Sequence, residues 1–387
     1  MDFSVLSPIS DRLFESVGMS HFQSLGRKLK LHTSQALPDL ENVNIAIFGV
    51  PETRNAVNDI GSSFQLDEVR QSLYALFPGN WNVIIADLGD LKKGATVEDT
   101  YFATTQLVKS LLEQKIIPLI IGGSQDLTYA NYRAYDSIKP MINIVNIDKS
   151  FDLGDSSKPI TNSSYLGKVI LEKPYNLFNY TVLGYQTYFN AQEEIDLMEK
   201  LYFEYYRLGQ INTNIKTVEP ALRDADLITI DLKSVKSSEV SVKQKYSPNG
   251  FDGKEICAIS RYAGISNKVT SFGIYEYKPS KDDEITSMLV SQMLWYFIEG
   301  VNYRVKDDDF SDDRNYQKYI TLVESEELVF YKSNKTGRWW IEIPFLNEIN
   351  NKLKRHTLLP CTHKDYLDAC ENKVPERWYK AFQKNCI

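Results

Sequence analysis

The chain has 387 residues, of which 43% are hydrophobic and 25% charged, so global disorder is excluded. Its net charge of −7 argues against a nucleic-acid-binding surface as the main function. The start "MDFSVLSPISDRLFESVG" lacks a basic stretch followed by an apolar one, and no apolar run approaches the roughly 20 residues needed to cross a bilayer. The sequence therefore predicts a soluble, cytoplasmic protein without membrane insertion.

Short runs rich in Ile and Val recur along the chain: "VNIAIFGV" (43–50), "WNVIIADL" (81–88), "KIIPLIIGG" (115–123), "MINIVNID" (141–148), "NYTVLGYQ" (179–186), "ADLITIDL" (225–232) and "KVTSFGIYE" (268–276). They are apolar nearly throughout, as strands buried on both faces are. Helical patterns lie between them. Residues 101–114 place Leu107, Leu111 and Leu112 at helical spacing, and 191–209 put Ile195, Met198 and Tyr202 on one stripe with Gly209 as the expected C-cap. Residues 253–264 predict a short helix ending at Gly264, and 283–300 a well-buried one. This alternation predicts a doubly wound α/β sheet.

After Gly300 the pattern changes. An aspartate-rich stretch, "VKDDDFSDDRN" (305–315), reads as a solvated loop without EF-hand register. Strands are expected at 319–324, 327–333 and 338–344, the last two joined by the turn "SNKTG" with Gly337 free to take positive φ. Two short helices follow, the second with Pro375 in its first turn. The strand "GRWWIEIP" could be an aromatic platform, but such strands more often seal a core. The domain reading is an N-terminal extension at 1–40, an α/β domain at 41–304 and a C-terminal extension at 305–387.

Ligands of open α/β sheets bind beyond the carboxyl ends of the strands. Three segments leave their strands there with chemistry: "IGGSQDLT" (121–128), "NIDKSFDLGD" (146–155) and "ITIDLKSVKSSE" (228–239). Their order and spacing resemble the arginase/agmatinase/formimidoylglutamase (ureohydrolase) family, whose pattern is GG-D-H-S, then D-A-H-x-D, then S-x-D-x-D-x-x-D-P. "IFGVPE" (47–52), "DEVRQSLYAL" (67–76) and "SFGIYEYKP" (271–279) extend the resemblance over about residues 43–280. It implies a three-layer α/β/α fold with a mostly parallel sheet, here carrying a C-terminal hairpin-and-helix extension.

The resemblance also implies a site of two Mn²⁺ ions bridged by a hydroxide, held by two His and four Asp. Carried over residue by residue, three carboxylates persist: Asp148, Asp152 and Asp231. Gln125 and Ser150 stand where the two histidines are expected, Lys233 stands where an aspartate is expected, and a further aspartate position falls near Lys236. Amide and hydroxyl oxygens are weaker ligands than imidazole, and a protonated ammonium is none. Lys233 is therefore expected to replace part of the metal's charge, with Lys149 or Lys236 able to reach in beside it. "ITNSSYLGKV" (160–169), which includes Asn162, lacks the family's shuttle histidine. Glu276 matches its substrate-facing glutamate, and Gly122, Gly123, Asp126 and Asn162 are the remaining pocket candidates.

Blander readings stand beside these. Asp148 and Asp152 can cap loop N–H groups, Gly122 and Gly123 can simply permit a close strand–helix turn, and a residual site could hold one hard cation such as Mg²⁺ or Ca²⁺. His21, His32, His356 and His363 lie outside the metal motifs, and His356, Cys361, His363 and Cys370 fit no common zinc spacing. The four cysteines read as free thiols, and the abundant tyrosines as core and interface material. The main expectation is a non-catalytic ureohydrolase homologue, a scaffold or small-ligand-binding protein without a cofactor. The alternative is a metal-dependent amidine C–N hydrolase with an altered or single-metal site for Mn²⁺ or Mg²⁺. A protein partner would use the C-terminal extension, and a homo-oligomer is also expected to be possible.

Overall fold

A computed structural model describes residues 3–57, 66–155, 157–240, 247–277, 284–324, 326–344 and 358–386. In chain order the main body contains β1 (Leu6–Ser7), α1 (Asp11–Met19), β2 (Lys30–Leu31), β3 (Ile45–Val50), α2 (Asp67–Ala75), β4 (Ile85–Leu91), α3 (Val97–Glu113), β5 (Ile117–Gly122), α4 (Leu127–Arg133), β6 (Ile142–Ile147), α5 (Tyr165–Leu171) and β7 (Leu177–Tyr185). It continues through α6 (Gln192–Lys200), β8 (Glu204–Arg207), α7 (Leu208–Thr213), α8 (Glu219–Asp224), β9 (Leu227–Asp231), α9 (Gly253–Ile265), β10 (Ser271–Tyr275) and α10 (Glu284–Asn302).

Every residue of β3, β5, β6, β9 and β10 is buried, as expected for apolar runs sandwiched between helices. The sheet order is β1-β4-β3-β5-β10-β9-β6-β7-β8, with β2 also on β4. All pairs are parallel except β1 with β4. The chain lays down two separated groups of strands and then inserts β9 and β10 between them. The ends of β5, β10, β9 and β6 thus become neighbours at the centre. One face is covered by α2, α9 and α10, the other by α3, α4 and α5. This is the three-layer α/β/α arrangement.

Several local expectations are corrected. The helix expected over 191–209 stops at Lys200. Tyr202 takes φ 53°, and residues 204–207 form β8, which extends the sheet beside β7. Pairing with an open sheet edge overrides the helical spacing, and Gly209 lies inside α7 rather than capping a helix. Gly264 is not a C-cap either. It lies within α9 where a Cβ would sit 2.1 Å from the Phe297 carbonyl oxygen, so its purpose is close approach of α9 to α10. The strand expected at 81–88 is shifted to Ile85–Leu91.

Beyond α10 lies a second, antiparallel sheet of β11 (Tyr316–Val323), β12 (Glu326–Ser333), β13 (Trp339–Glu342) and β14 (Leu358–Cys361), in that order. Gly337 takes φ 71° in the predicted turn. Helices α11 (His363–Cys370) and α12 (Glu376–Cys386) cover one face. Trp339 packs into this small core, while Trp340 lies under the Arg223 guanidinium at 4.2 Å. The aromatic strand is thus buried core. Strand β14 was not expected, because its "LLPC" is short and contains a proline.

Charged side chains join this layer to the main sheet. Arg223 donates to the carbonyls of Trp339 (3.0 Å) and Cys361 (3.1 Å). Arg377 on α12 pairs with Glu204 on β8 at 2.7 Å, both nearly buried. Replacing Arg377 by Leu leaves the buried Glu204 without its guanidinium partner, held only by Asn179, Tyr206 and the nearby Lys384 charge, which is expected to cost up to about 3–5 kcal/mol. The Glu204→Leu/Arg377→Leu pair should recover most of it, as read from urea unfolding midpoints.

Candidate functional site

Strands β6 and β9 are parallel with Ile147 opposite Ile230, which sets Asp148 and Asp231 side by side as the chain leaves the sheet. Asp152 joins them from the following loop, where its own φ is 54°. All three are buried, and one carboxylate oxygen of each lies within 4.8 Å of the others. Local hydrogen bonds orient them. Asp148 Oδ1 accepts the N–H of Lys149 (2.6 Å) and Ser150 (3.2 Å), and Asn146 donates to its Oδ2 at 3.3 Å. Ser150 Oγ donates to Asp152 Oδ1 (2.9 Å), and the Lys233 N–H donates to Asp231 Oδ1 (2.6 Å). The expected loop capping is therefore present, but it is incomplete: Asp152 Oδ2 is buried without a partner.

Lys233 follows β9 and points back into the cluster. Its Nζ is 3.1 Å from Asp231 Oδ2 and 3.5 Å from Glu276 Oε2. Glu276 arrives because β10 runs beside β9 with Tyr275 opposite Asp231. Its φ of 61° turns the chain at the strand end. Glu276 Oε1 accepts the Gln125 N–H (3.0 Å) and Asn162 Nδ2 (2.8 Å), so three loops meet on one carboxylate. Gln125 directs Nε2 to Asn146 Oδ1 (3.1 Å), leaving its Oε1 buried without a partner. Asn146 in turn accepts from Thr229 Oγ1 at 2.8 Å. Sequence reasoning missed Asn146 and Thr229. The available signal was polar residues inside buried, largely apolar strands: Asn146 beside Asn143 in β6, and Thr229 in β9.

Not every expected residue enters the cluster. Lys149 lies over the Phe189 ring at 4.6 Å, and Lys236 faces Asp252 at 3.8 Å, so neither supplies the charge foreseen for it. Asp126 points to Ser124 Oγ and Tyr101 Oη, in a separate buried group. Gly122 and Gly123 serve packing: a Cβ would lie 2.3 Å from the Tyr275 ring at the first and 2.3 Å from the Glu52 carbonyl at the second. His21, His32 and His363 all lie elsewhere: His363 stacks on Trp339 at 4.9 Å, and His356 falls outside the described residues. Among the described residues, Asp148, Asp152 and Asp231 are the one grouping of carboxylate, His or Cys ligands suited to a metal.

Electrostatics make the cluster cation-seeking. Burial, followed by the charge of Asp152, pushes Asp148 well above the usual carboxylate range. Burial lifts Asp152 to about 6 despite the nearby Lys233 ammonium. Asp231 is raised by burial and by Asp148 and Glu276, again against Lys233. Burial opposes the charge on Lys233, but the carboxylates of Asp231, Glu276, Asp152 and Asp148 outweigh it and hold the ammonium firmly protonated. One fixed cation thus faces several carboxylates. The donors available are hard oxygens, two of them buried and unsatisfied at Asp152 and Gln125. The chemistry of that set fits a hard divalent ion, with the Lys233 ammonium as the neighbouring fixed cation.

Residues 43–299 match the Arginase family. The formimidoylglutamase of Streptococcus gordonii is 23% identical over 286 residues, covering 68% of this chain and 86% of that protein. The formimidoylglutamase of Bacillus subtilis is 22% identical over 276 residues, covering 66% and 86%. Among solved structures, Trypanosoma cruzi formiminoglutamase with Mn²⁺ superposes with a TM-score of 0.62 at 17% identity, covering 69% of this chain and 96% of that one. The B. subtilis formimidoylglutamase structure gives 0.62 at 20% identity, covering 70% and 90%. These likenesses show the fold.

Because burial raises Asp152 from 3.8 to about 6, its contribution to stability is full below about pH 4 and is lost as pH rises through about 6. Metal-free protein should therefore lose thermal stability over that window. Lys233→Met should steepen the loss, since it removes the cation that favours the charged carboxylates. Melting temperatures in chelator from about pH 4 to pH 8 test this, with an unchanged slope in the variant as the contrary result.

Proposed function

The chain belongs to the arginase family, and we propose that it hydrolyses the C–N bond of a linear amidine using one divalent cation held by Asp148, Asp152 and Asp231. The observation carrying this reading is the buried carboxylate trio, in which Asp152 Oδ2 has no hydrogen-bond partner. The formimidoylglutamase relatives point to formimino substrates, with guanidino compounds as the related class. A bound Mn²⁺ or Mg²⁺ would supply an acidified water as nucleophile and polarise the substrate.

The chain's own residues complete the site. Lys233 contributes the fixed positive charge that a second ion would otherwise give, and it holds Glu276 Oε2. Asn162 and the Gln125 N–H lock the other Glu276 oxygen, so this carboxylate is positioned to accept an amidinium N–H. Burial excludes bulk water from Asp148, Asp152 and Asp231.

A second reading is a non-catalytic homologue that binds a cationic or amide ligand or acts as a scaffold. Its supporting observation is Lys233 itself, 3.1 Å from Asp231, where it can replace a metal altogether. Neutral Gln125 and Ser150 at two motif positions point the same way.

Metal analysis by mass spectrometry on protein equilibrated with excess Mn²⁺ and desalted, paired with an ammonia-release or formamide-release assay on formimino and guanidino substrates, separates the readings. The hydrolase reading expects about one ion per chain, lost with turnover in Asp231→Asn. Lys233→Asp should raise the ion count. No bound ion and no turnover would favour the scaffold reading.

A further inference from the structure

The C-terminal sheet has two edges, and they are treated differently. At β14, the Pro360 carbonyl accepts from Arg377 (2.5 Å) and the Cys361 carbonyl from Arg223 (3.1 Å). At β11 nothing comparable occurs. All eight residues, Tyr316–Val323, pair with β12 in one uninterrupted register. Among the described residues, the backbone groups of β11 have no hydrogen-bond partner beyond that ladder. The strand also lacks common protections of an edge, having no proline, no bulge and only one lysine.

Its side chains alternate. Tyr319 and Val323 pack toward the helices and the small core. Lys318, Ile320 and Leu322 face outward, with Ile320 56% and Leu322 65% exposed. β11 ends at Val323, and an exposed Glu324 follows in the turn, with φ 50°, before exposed Glu326 and Glu327 at the start of β12. One end of the edge is therefore cationic, the middle apolar and the other end acidic. That arrangement complements itself when reversed. Turned about Thr321, Ile320 meets Leu322 of a second strand, and Lys318 comes beside the acidic turn that carries Glu324. A parallel copy would instead align like charges.

We propose that β11 is an assembly surface, pairing antiparallel with β11 of a second copy of this chain about a two-fold axis at Thr321. The two four-stranded sheets become one continuous sheet, and the exposed Ile320 and Leu322 side chains are covered by their counterparts. The contact is isologous, so it closes after two copies and does not propagate.

Sedimentation analysis of the full chain tests this. The expected result is a concentration-dependent step to twice the 44.5 kDa chain mass, or a doubling of whatever assembly the main domain forms. Ile320→Lys/Leu322→Lys, at exposed positions that leave the core intact, should abolish the step with an unchanged circular dichroism spectrum. Lys318→Glu should weaken it, and Lys318→Glu/Glu324→Lys should restore it. Failure of the step to appear at any concentration would overturn the proposal and leave the edge to a strand from another protein. A step insensitive to these substitutions would overturn it too, by placing the interface elsewhere.

Discussion

Three carboxylates are forced together where the central strands end, and much of the site follows from the cost of that placement. Two like charges about 4 Å apart repel by about 4 kcal/mol even at an effective dielectric of about 20. Asp148, Asp152 and Asp231 cannot all stay ionised in a buried pocket without nearby positive charge. The chain supplies one ammonium, Lys233, and divides it between Asp231 and Glu276. One cation against four carboxylates leaves an excess of negative charge, which explains why burial drives the aspartate pKa values upward.

The polar frame under the cluster serves that arrangement. Gln125, Asn146 and Thr229 form a short buried chain of hydrogen bonds between β5, β6 and β9. Gln125 supplies a structural link between the strand ends through its side-chain amide. Glu276 gathers the Gln125 N–H, the Asn162 side chain and the Lys233 ammonium, so loops from three strands share one anchor. Within the arginase fold, the Lys233 ammonium and the carboxylates around it therefore share one buried centre.

The C-terminal layer depends on a different use of charge. Arg223 and Arg377 occupy the join between the two sheets, satisfying strand carbonyls and the buried Glu204. Guanidinium groups suit this position because several fixed donors can serve carbonyls and carboxylates together. They also close the β14 edge, leaving β11 as the open one.

The sequence by itself determined the buried parallel strands and the carboxylates at their ends. Runs such as "IPLIIG" and "LITID" are apolar on both faces wherever they sit, and an aspartate at the end of such a run must face the sheet's edge. It also placed Gln125, Ser150 and Lys233 in the segments that leave those strands. Tertiary structure decided the rest. Lys149 and Lys236 lie as near in sequence as Lys233, which the motif singled out, yet they stay outside the cluster, because the direction of a long flexible side chain depends on partners brought from elsewhere in the chain. Residues 204–207 became a strand because β7 offered them an unpaired edge, which helical spacing could not register. Asn146 and Thr229 acquired their linking role only once β6 and β9 lay side by side. Local composition fixes which segments are buried; contacts between residues far apart in the chain fix where each charge goes.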